Sequence, residues 1–311
     1  MIKLKTIYEL LNVSVERFSN NIAFTMLGGE DVTYREVKER VEQVQELLLD
    51  AGLNAGDKVA LLSSSMPNWG VSYFAVTTAG MVVVPLMPDF TGEELDSLIE
   101  HSEAKALLVS DKLFTKLSKE TVSKLNIVIR TKNLSVISQT VKERGSKIIP
   151  KPEDLAAIIY TSGTTSKPKG VMLTVENISS NVDLIPRYFP YRKGDNYLSI
   201  LPFAHIFGML YDMTACLCLG MHLTVLCLPP APSILKEALQ TVAPTTVMMV
   251  PLVLKKIVEF VTAEILAENR EYAPESKEFY AAMRERIMKY LGGKVEIIVT
   301  GGAALPEKLE N

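Results

Sequence analysis

Short, nearly uninterrupted apolar runs recur along the chain, with stretches of helical periodicity between them. Residues 58–64, 82–86, 104–110, 127–130, 156–160, 197–201, 223–228, 245–250 and 295–300 read as buried strands, because a strand covered on both faces has no polar side to alternate with. Strands alternating with helices predict mostly parallel sheets covered by helices, an α/β fold. Residues 32–51 predict an amphipathic helix: Val37, Val41, Val44 and Leu48 share one face, Glu39 and Glu42 fall on the solvated one, and Gly52 stops it. Thr91, with Glu94 three positions on, forms a reciprocal cap opening a helix that runs toward His101.

The pattern lapses twice. Between residues 131 and 154 charged and polar residues dominate, ending in Pro150, Lys151 and Pro152. This predicts a linker with short structure between a first α/β subdomain, residues 1–150, and a second, residues 151–311, opened by the strand at 156–160. Residues 267–277, AENREYAPESK, predict an exposed insertion between two helices. The opposite extreme is 213–235, which holds no Asp, Glu, Lys or Arg but is broken by Gly220, His222, Pro229, Pro230 and Pro232. A buried helix, a turn and a buried strand are expected there in place of a membrane span of about 20 residues.

Composition narrows the function classes. A length of 311 residues suggests about two units. A net charge of -3 leaves no basic excess to neutralise a nucleic-acid backbone, so any phosphate recognition has to be local. Cys216, Cys218 and Cys227 are odd in number, set in apolar sequence and without metal-ligand spacing, and read as core residues in a reducing compartment. Lys3 and Lys5 are followed by Glu9, Glu16 and Arg17 rather than an apolar run, so no export signal is expected and the protein reads as cytoplasmic.

The densest candidate chemistry is at residues 160–170, YTSGTTSKPKG, directly after the apolar run 156–159 and before a second strand candidate at 171–173. Thr161, Ser162, Thr164, Thr165 and Ser166 offer hydroxyl donors, Gly163 and Gly170 allow close backbone approach, and Lys167 and Lys169 add charge. Hydroxyls, glycines and lysines in one turn off a sheet make an anion cradle suited to a polyphosphate. A Walker A loop is ruled out by spacing, since Pro168 stands where its second glycine belongs. A polar surface hairpin is the bland alternative. His205 lies between Phe203 and Phe207 after the strand at 197–201, and Gly301 and Gly302 follow the strand at 295–300, where open α/β sheets bind ligands. By pattern alone, such a histidine is often a satisfied core residue, and such glycines often form a plain turn.

Three landmarks in one order, YTSGTTSKPKG, LPFAHIFG at 201–208 and GGAALP at 301–306, resemble the adenylate-forming (AMP-binding) superfamily of acyl-CoA synthetases, luciferases and peptide-synthetase adenylation domains. VTYREV at 32–37, MPNW at 66–69 and AGMVVVPL at 79–86 extend the likeness over most of the chain. MPNW and the spacing into VTGGAALP are most similar to long-chain fatty acid–CoA ligases.

The resemblance implies two stacked, mostly parallel α/β subdomains of that superfamily's N-terminal domain. It implies ATP-dependent activation of a carboxylic acid, foremost a long-chain fatty acid, to an acyl-adenylate, then transfer to coenzyme A, with AMP and pyrophosphate released and Mg²⁺ bridging phosphate oxygens. Thr161, Ser162, Gly163, Thr164, Thr165, Lys167 and Lys169 would hold the β- and γ-phosphates, Thr161 would also serve the metal, and Gly301, Gly302, Ala303 and Ala304 would lie against adenine. His205, Phe207 and Gly208 would line the carboxylate and acyl pocket, with Thr161, Lys169 and His205 the catalytic set and Met209, Met213 and Met221 candidates for the acyl wall. Ser166 departs from the glycine usual in relatives. The family's Tyr-Gly-x-Thr-Glu segment, ribose-binding aspartate, β-barrel, hinge and C-terminal lid with its lysine would lie beyond Asn311. Residues 1–311 alone are therefore expected to be incomplete for catalysis, and a non-catalytic or split nucleotide-binding module needing a partner chain is the alternative. The expected partners are small molecules, not nucleic acid; peripheral contact with a bilayer and a homodimer are left open.

Overall fold

The computed structural model describes residues 6–161, 169–188, 192, 195–227, 231–268 and 276–306. In chain order its strands are β1 (Ile22–Met26), β2 (Asp31–Thr33), β3 (Lys58–Leu62), β4 (Val82–Pro85), β5 (Ala104–Val109), β6 (Ile127–Arg130), β7 (Val136–Gln139), β8 (Leu155–Thr161), β9 (Lys169–Thr174), β10 (Asn196–Ser199), β11 (His222–Val225), β12 (Thr246–Met249) and β13 (Ile297–Thr300). They form two sheets, ordered β7-β6-β5-β3-β4-β8-β9 and β13-β12-β10-β11-β1-β2. Interior neighbours run parallel, and the antiparallel pairs β6–β7, β8–β9 and β1–β2 close sheet edges. Every residue of β4 and β12 is buried, as the continuous apolar runs require.

The expected division at residue 150 is not where the sheets divide. β8 lies parallel to β4, with Val83 beside Ala157, so the strand feeding the phosphate loop belongs to the first sheet. Residues 131–154 explain why, because they fold back instead of leading away. Val136–Gln139 pairs with β6, and Arg144 then reaches Glu46 and Asp50 on the helix Tyr34–Asp50. The Gly145 N–H donates to the Leu49 carbonyl at 2.8 Å and the Ile148 N–H to that of Ala79 at 3.2 Å. Conversely, β1 and β2 precede the first sheet in sequence yet join the second, where Phe24 of β1 sits opposite Leu223 of β11.

One helix joins the two layers. Pro67–Thr78 is buried on all sides and touches β3 and β4 on one sheet and β1 on the other, with the Ser72, Thr77 and Thr78 hydroxyls satisfied by carbonyls four residues back. Its MPNW opening has a structural reason: Pro67 occupies the first turn, where its missing N–H is harmless. The Asn68 side-chain amide donates to the Thr131 and Lys132 carbonyls at 2.8 and 3.1 Å, and Trp69 stacks on Tyr73 and tilts against Phe203.

The helix expected over 32–51 begins later, at Tyr34, because Val32 and Thr33 extend into β2. Thr33 is its cap: the Glu36 N–H donates to the Thr33 hydroxyl at 3.3 Å, and the Glu36 carboxylate accepts the Thr33 N–H and hydroxyl at 2.7 Å each. Thr33→Ala should lower the unfolding free energy by about 1 kcal/mol in urea denaturation; no change would show that the cap is redundant. The cap at Thr91 and Glu94 forms as expected.

Residues 213–235 resolve into the end of a π-helix, Gly208–Ala215, then a short helical turn, a left-handed turn at Gly220 and β11; residues 228–230 lie outside the described residues. Among the described residues no helix is long and apolar enough to cross a membrane. Most of the expected insertion at 267–277 also lies outside them, between the helices Pro251–Glu268 and Lys277–Tyr290.

Candidate functional site

β8 and β9 make a hairpin whose last pair is Thr161 opposite Lys169, both exposed. The loop residues between them, including Ser162, Gly163, Thr164, Thr165 and Lys167, lie outside the described residues. The stem beneath is well anchored. Tyr160 is buried opposite Gly170, and its hydroxyl lies 2.7 Å from His101 Nδ1 at the end of the helix Gly92–His101. A Cβ on Gly170 would come within 2.9 Å of the Ile158 side chain and 3.4 Å of the Tyr160 ring, so this glycine is required by packing inside the hairpin. Thr161 and Lys169 thus stand at the mouth of the loop on a fixed base.

The histidine segment leaves β10 and turns into the π-helix. The Pro202 carbonyl accepts the His205 N–H at 3.1 Å, and a Cβ on Gly208 would lie 2.3 Å from that same oxygen, so only glycine fits this close crossing. Gly208 is therefore buried beneath the segment, while His205 is exposed and not the core residue its aromatic neighbours suggest. The Phe207 N–H donates to His205 Nδ1 at 3.2 Å. That leaves the neutral ring's proton on Nε2, which faces outward as a donor for an anion.

Phe207 carries the geometry across to the third landmark. Its ring packs on Tyr211 at 5.2 Å and lies so close to Gly301 that a Cβ there would stand 3.2 Å from the ring edge. β10 and β13 are parallel strands of one sheet, so the two motifs meet at the carboxyl ends of its strands. Gly302 has φ +81°, a left-handed turn that glycine accepts readily, and Ala303 and Ala304 are exposed beyond it. The Thr300 hydroxyl, at the end of β13, is buried and has no hydrogen-bond partner among the described residues.

A residue that pattern reading passed over lies beneath this segment. Asp212, in the π-helix, is fully buried. Its carboxylate accepts the Tyr197 hydroxyl at Oδ1 and the Ser199 hydroxyl at Oδ2, each at 2.7 Å. Burial pushes its pKa up to about 7, against the pull of Ser199, Tyr197 and the Leu201 N–H. The available signal was a lone carboxylate at the edge of the uncharged run, since Asp is rarely buried unless paired.

Other candidates resolve to structure. Met209, Met213 and Met221 are fully buried members of the main core. Cys216 is buried and Cys218 and Cys227 partly so, and burial raises all three thiols, leaving them poor nucleophiles. His222 Nε2 lies 2.7 Å from the Thr25 hydroxyl in a cross-strand contact. A surface cleft of about 450 Å³ is lined by Asp96, Glu100, Glu103 and Glu120 with Lys124, a balance of charge that repels phosphate. Among the described residues no group of three or more His, Cys, Asp or Glu side chains could hold a metal ion.

Residues 11–311 match the AMP-binding enzyme family. The chain is 30% identical over 231 residues to an oxalate–CoA ligase of Arabidopsis thaliana, covering 71% of this chain and 45% of that protein. It is 25% identical to long chain acyl-CoA synthetase 1 of the same plant, over 99% of this chain and 55% of that one. It thus spans about half the length of the curated relatives it matches. The inhibitor-bound N-terminal domain of FACL13 from Mycobacterium tuberculosis superposes with a TM-score of 0.75 at 18% identity, over 98% of this chain and 72% of that domain. The chain belongs to the AMP-binding enzymes, as an N-terminal α/β portion of the adenylate-forming fold.

Proposed function

We propose that the protein activates a carboxylic acid, foremost a long-chain fatty acid, with ATP to an acyl-adenylate and passes the acyl group to coenzyme A, in the cytoplasm. The observation that carries this proposal is the packing of Phe207 on Gly301, which brings an outward histidine donor and a glycine-lined strand end together at the carboxyl edge of one sheet. Similarity to acid–CoA ligases supports the reaction class, and the relative named for long-chain substrates supports the acid.

The residues present fit a nucleotide. The exposed backbone at Gly302 offers a flat surface where a purine would lie, directly after the strand Ile297–Thr300. ATP supplies an electrophilic α-phosphate and a pyrophosphate leaving group. Lys169 and Thr161 would offset charge on that leaving group, and Nε2–H of His205 would orient the substrate carboxylate or a phosphate oxygen. Mg²⁺ would be held chiefly by phosphate oxygens, with the Thr161 hydroxyl as this chain's contribution. A carboxylate is already nucleophilic, so no covalent enzyme intermediate is needed.

The test is fatty-acid-dependent exchange of labelled pyrophosphate into ATP by the product of the complete reading frame, across acyl lengths. Exchange that peaks with long chains supports the proposal, and a preference for oxalate or aromatic acids moves the substrate but keeps the chemistry. ATP binding with no exchange for any acid would replace it with a non-catalytic nucleotide-binding module.

A further inference from the structure

We propose that Asp212 is a positioning residue that clamps the loop carrying His205 and Phe207, resting on the assignment of that loop to the acid-activating site. Tyr197 and Ser199 alternate along β10, so both face the same side of it. The carboxylate accepts both hydroxyls at 2.7 Å, and the nearby Leu201 backbone helps to hold its pKa down. Asp212 is thereby tied to β10 as far as its last residue, Ser199.

Between the tied points lies the segment that turns at Pro202, exposes His205 and lays Phe207 on Gly301. Its far end is held in an uncommon conformation. In the π-helix the Thr214 hydroxyl donates to the Met209 carbonyl at 2.8 Å and the Cys216 thiol to that of Tyr211 at 3.7 Å, so side chains brace the wide turn. Release of Asp212 would let this turn relax toward α-helical spacing and rotate the residues before it. Phe207 would then leave Gly301, and His205 would lose its fixed direction.

The helix Val175–Tyr188, which follows β9, packs on the same π-helix. The clamp therefore sits where the hairpin side and the histidine side of the site share a neighbour. A purely structural buried carboxylate would be expected to stabilise the fold; one kept for positioning can be removed at little loss of stability but with loss of alignment.

The test uses Tyr197→Phe and Asp212→Asn in the full-length protein, since Asp212→Ala risks misfolding by leaving two buried hydroxyls unpaired. Each variant should lower the turnover of pyrophosphate exchange about tenfold to a hundredfold, with KM for ATP nearly unchanged. The double variant should be little worse than the weaker single, because both remove one contact. Deuterium exchange should quicken in peptides covering 202–211 but not in β12. Folded variants with parental turnover and parental protection at 202–211 would overturn the clamp. Failure of the parent protein to exchange pyrophosphate would instead remove the functional assignment, and the deuterium measurement would then decide the clamp alone.

Discussion

The stability of Asp212→Asn relative to the parent chain should rise by about 4 kcal/mol between pH 4 and pH 8. Asp212 has an ordinary carboxyl value of 3.8 when unfolded and about 7 when folded, and each tenfold gain in proton affinity corresponds to about 1.4 kcal/mol. Because the folded value is the higher one, the folded state holds the extra proton through this window. The contribution of the group is therefore fully present below the unfolded value and is lost as pH rises through about 7. Asparagine does not titrate and has no such window, and its amide NH2 replaces one of the two oxygens that accept the Tyr197 and Ser199 hydroxyls. Taking the difference between the two proteins in urea denaturation at each pH cancels the titrations they share. At low pH the variant should be slightly the weaker, by about 1 kcal/mol for an imperfect hydrogen bond, and by pH 8 it should be the more stable. A difference that does not vary with pH would mean that Asp212 stays ionised throughout, held by its two hydroxyl donors against burial.

That crossover bears on why a carboxylate stands there. A buried ion pair or network can often be replaced by neutral groups without loss of stability, so retention of the charge points away from simple stabilisation. Among the described residues the carboxylate has donors but no cation, which suits a role in geometry rather than in charge balance. Greater stability at pH 8 combined with slower turnover in one variant would separate these roles in a way that neither measurement does singly.

Much of the fold could be read from the chain because parallel strands buried on both faces leave continuous apolar runs, as in Val82–Pro85 and Thr246–Met249. The strands passed over are those without that mark. β2 has only three residues and merges into a helix start, β7 is mostly exposed, and β1 pairs with β11, about two hundred residues later, in a pairing no local pattern encodes. The linker at 131–154 looked like a boundary because it is polar, yet its polar groups serve to bind it back along Tyr34–Asp50. The site divides similarly. Loop chemistry around Thr161 and Lys169 is local and legible, whereas the meeting of Phe207 with Gly301 and the reach of Asp212 to Tyr197 exist only once the chain is folded.

Lys169→Ala should cut pyrophosphate exchange by the complete protein about 100- to 1000-fold while changing the unfolding free energy by no more than about 0.5 kcal/mol. The two halves of that expectation follow from where the side chain is. Lys169 contributes its backbone to the pairing with Thr161, which alanine preserves, while its side chain is exposed and among the described residues has no carboxylate partner. Its charge is thus free to act on a ligand, and at the mouth of a loop of hydroxyls and glycine the fitting ligand is a polyphosphate. A lysine ammonium placed where negative charge develops on departing pyrophosphate stabilises the transition state more than bound ATP, so the loss should fall on turnover more than on KM. Lys169→Arg keeps the charge but spreads it over a planar group, and should recover only part of the rate. Parental exchange by Lys169→Ala would mean that Lys167 or a group outside this chain neutralises the leaving group, and would take Lys169 out of the catalytic set.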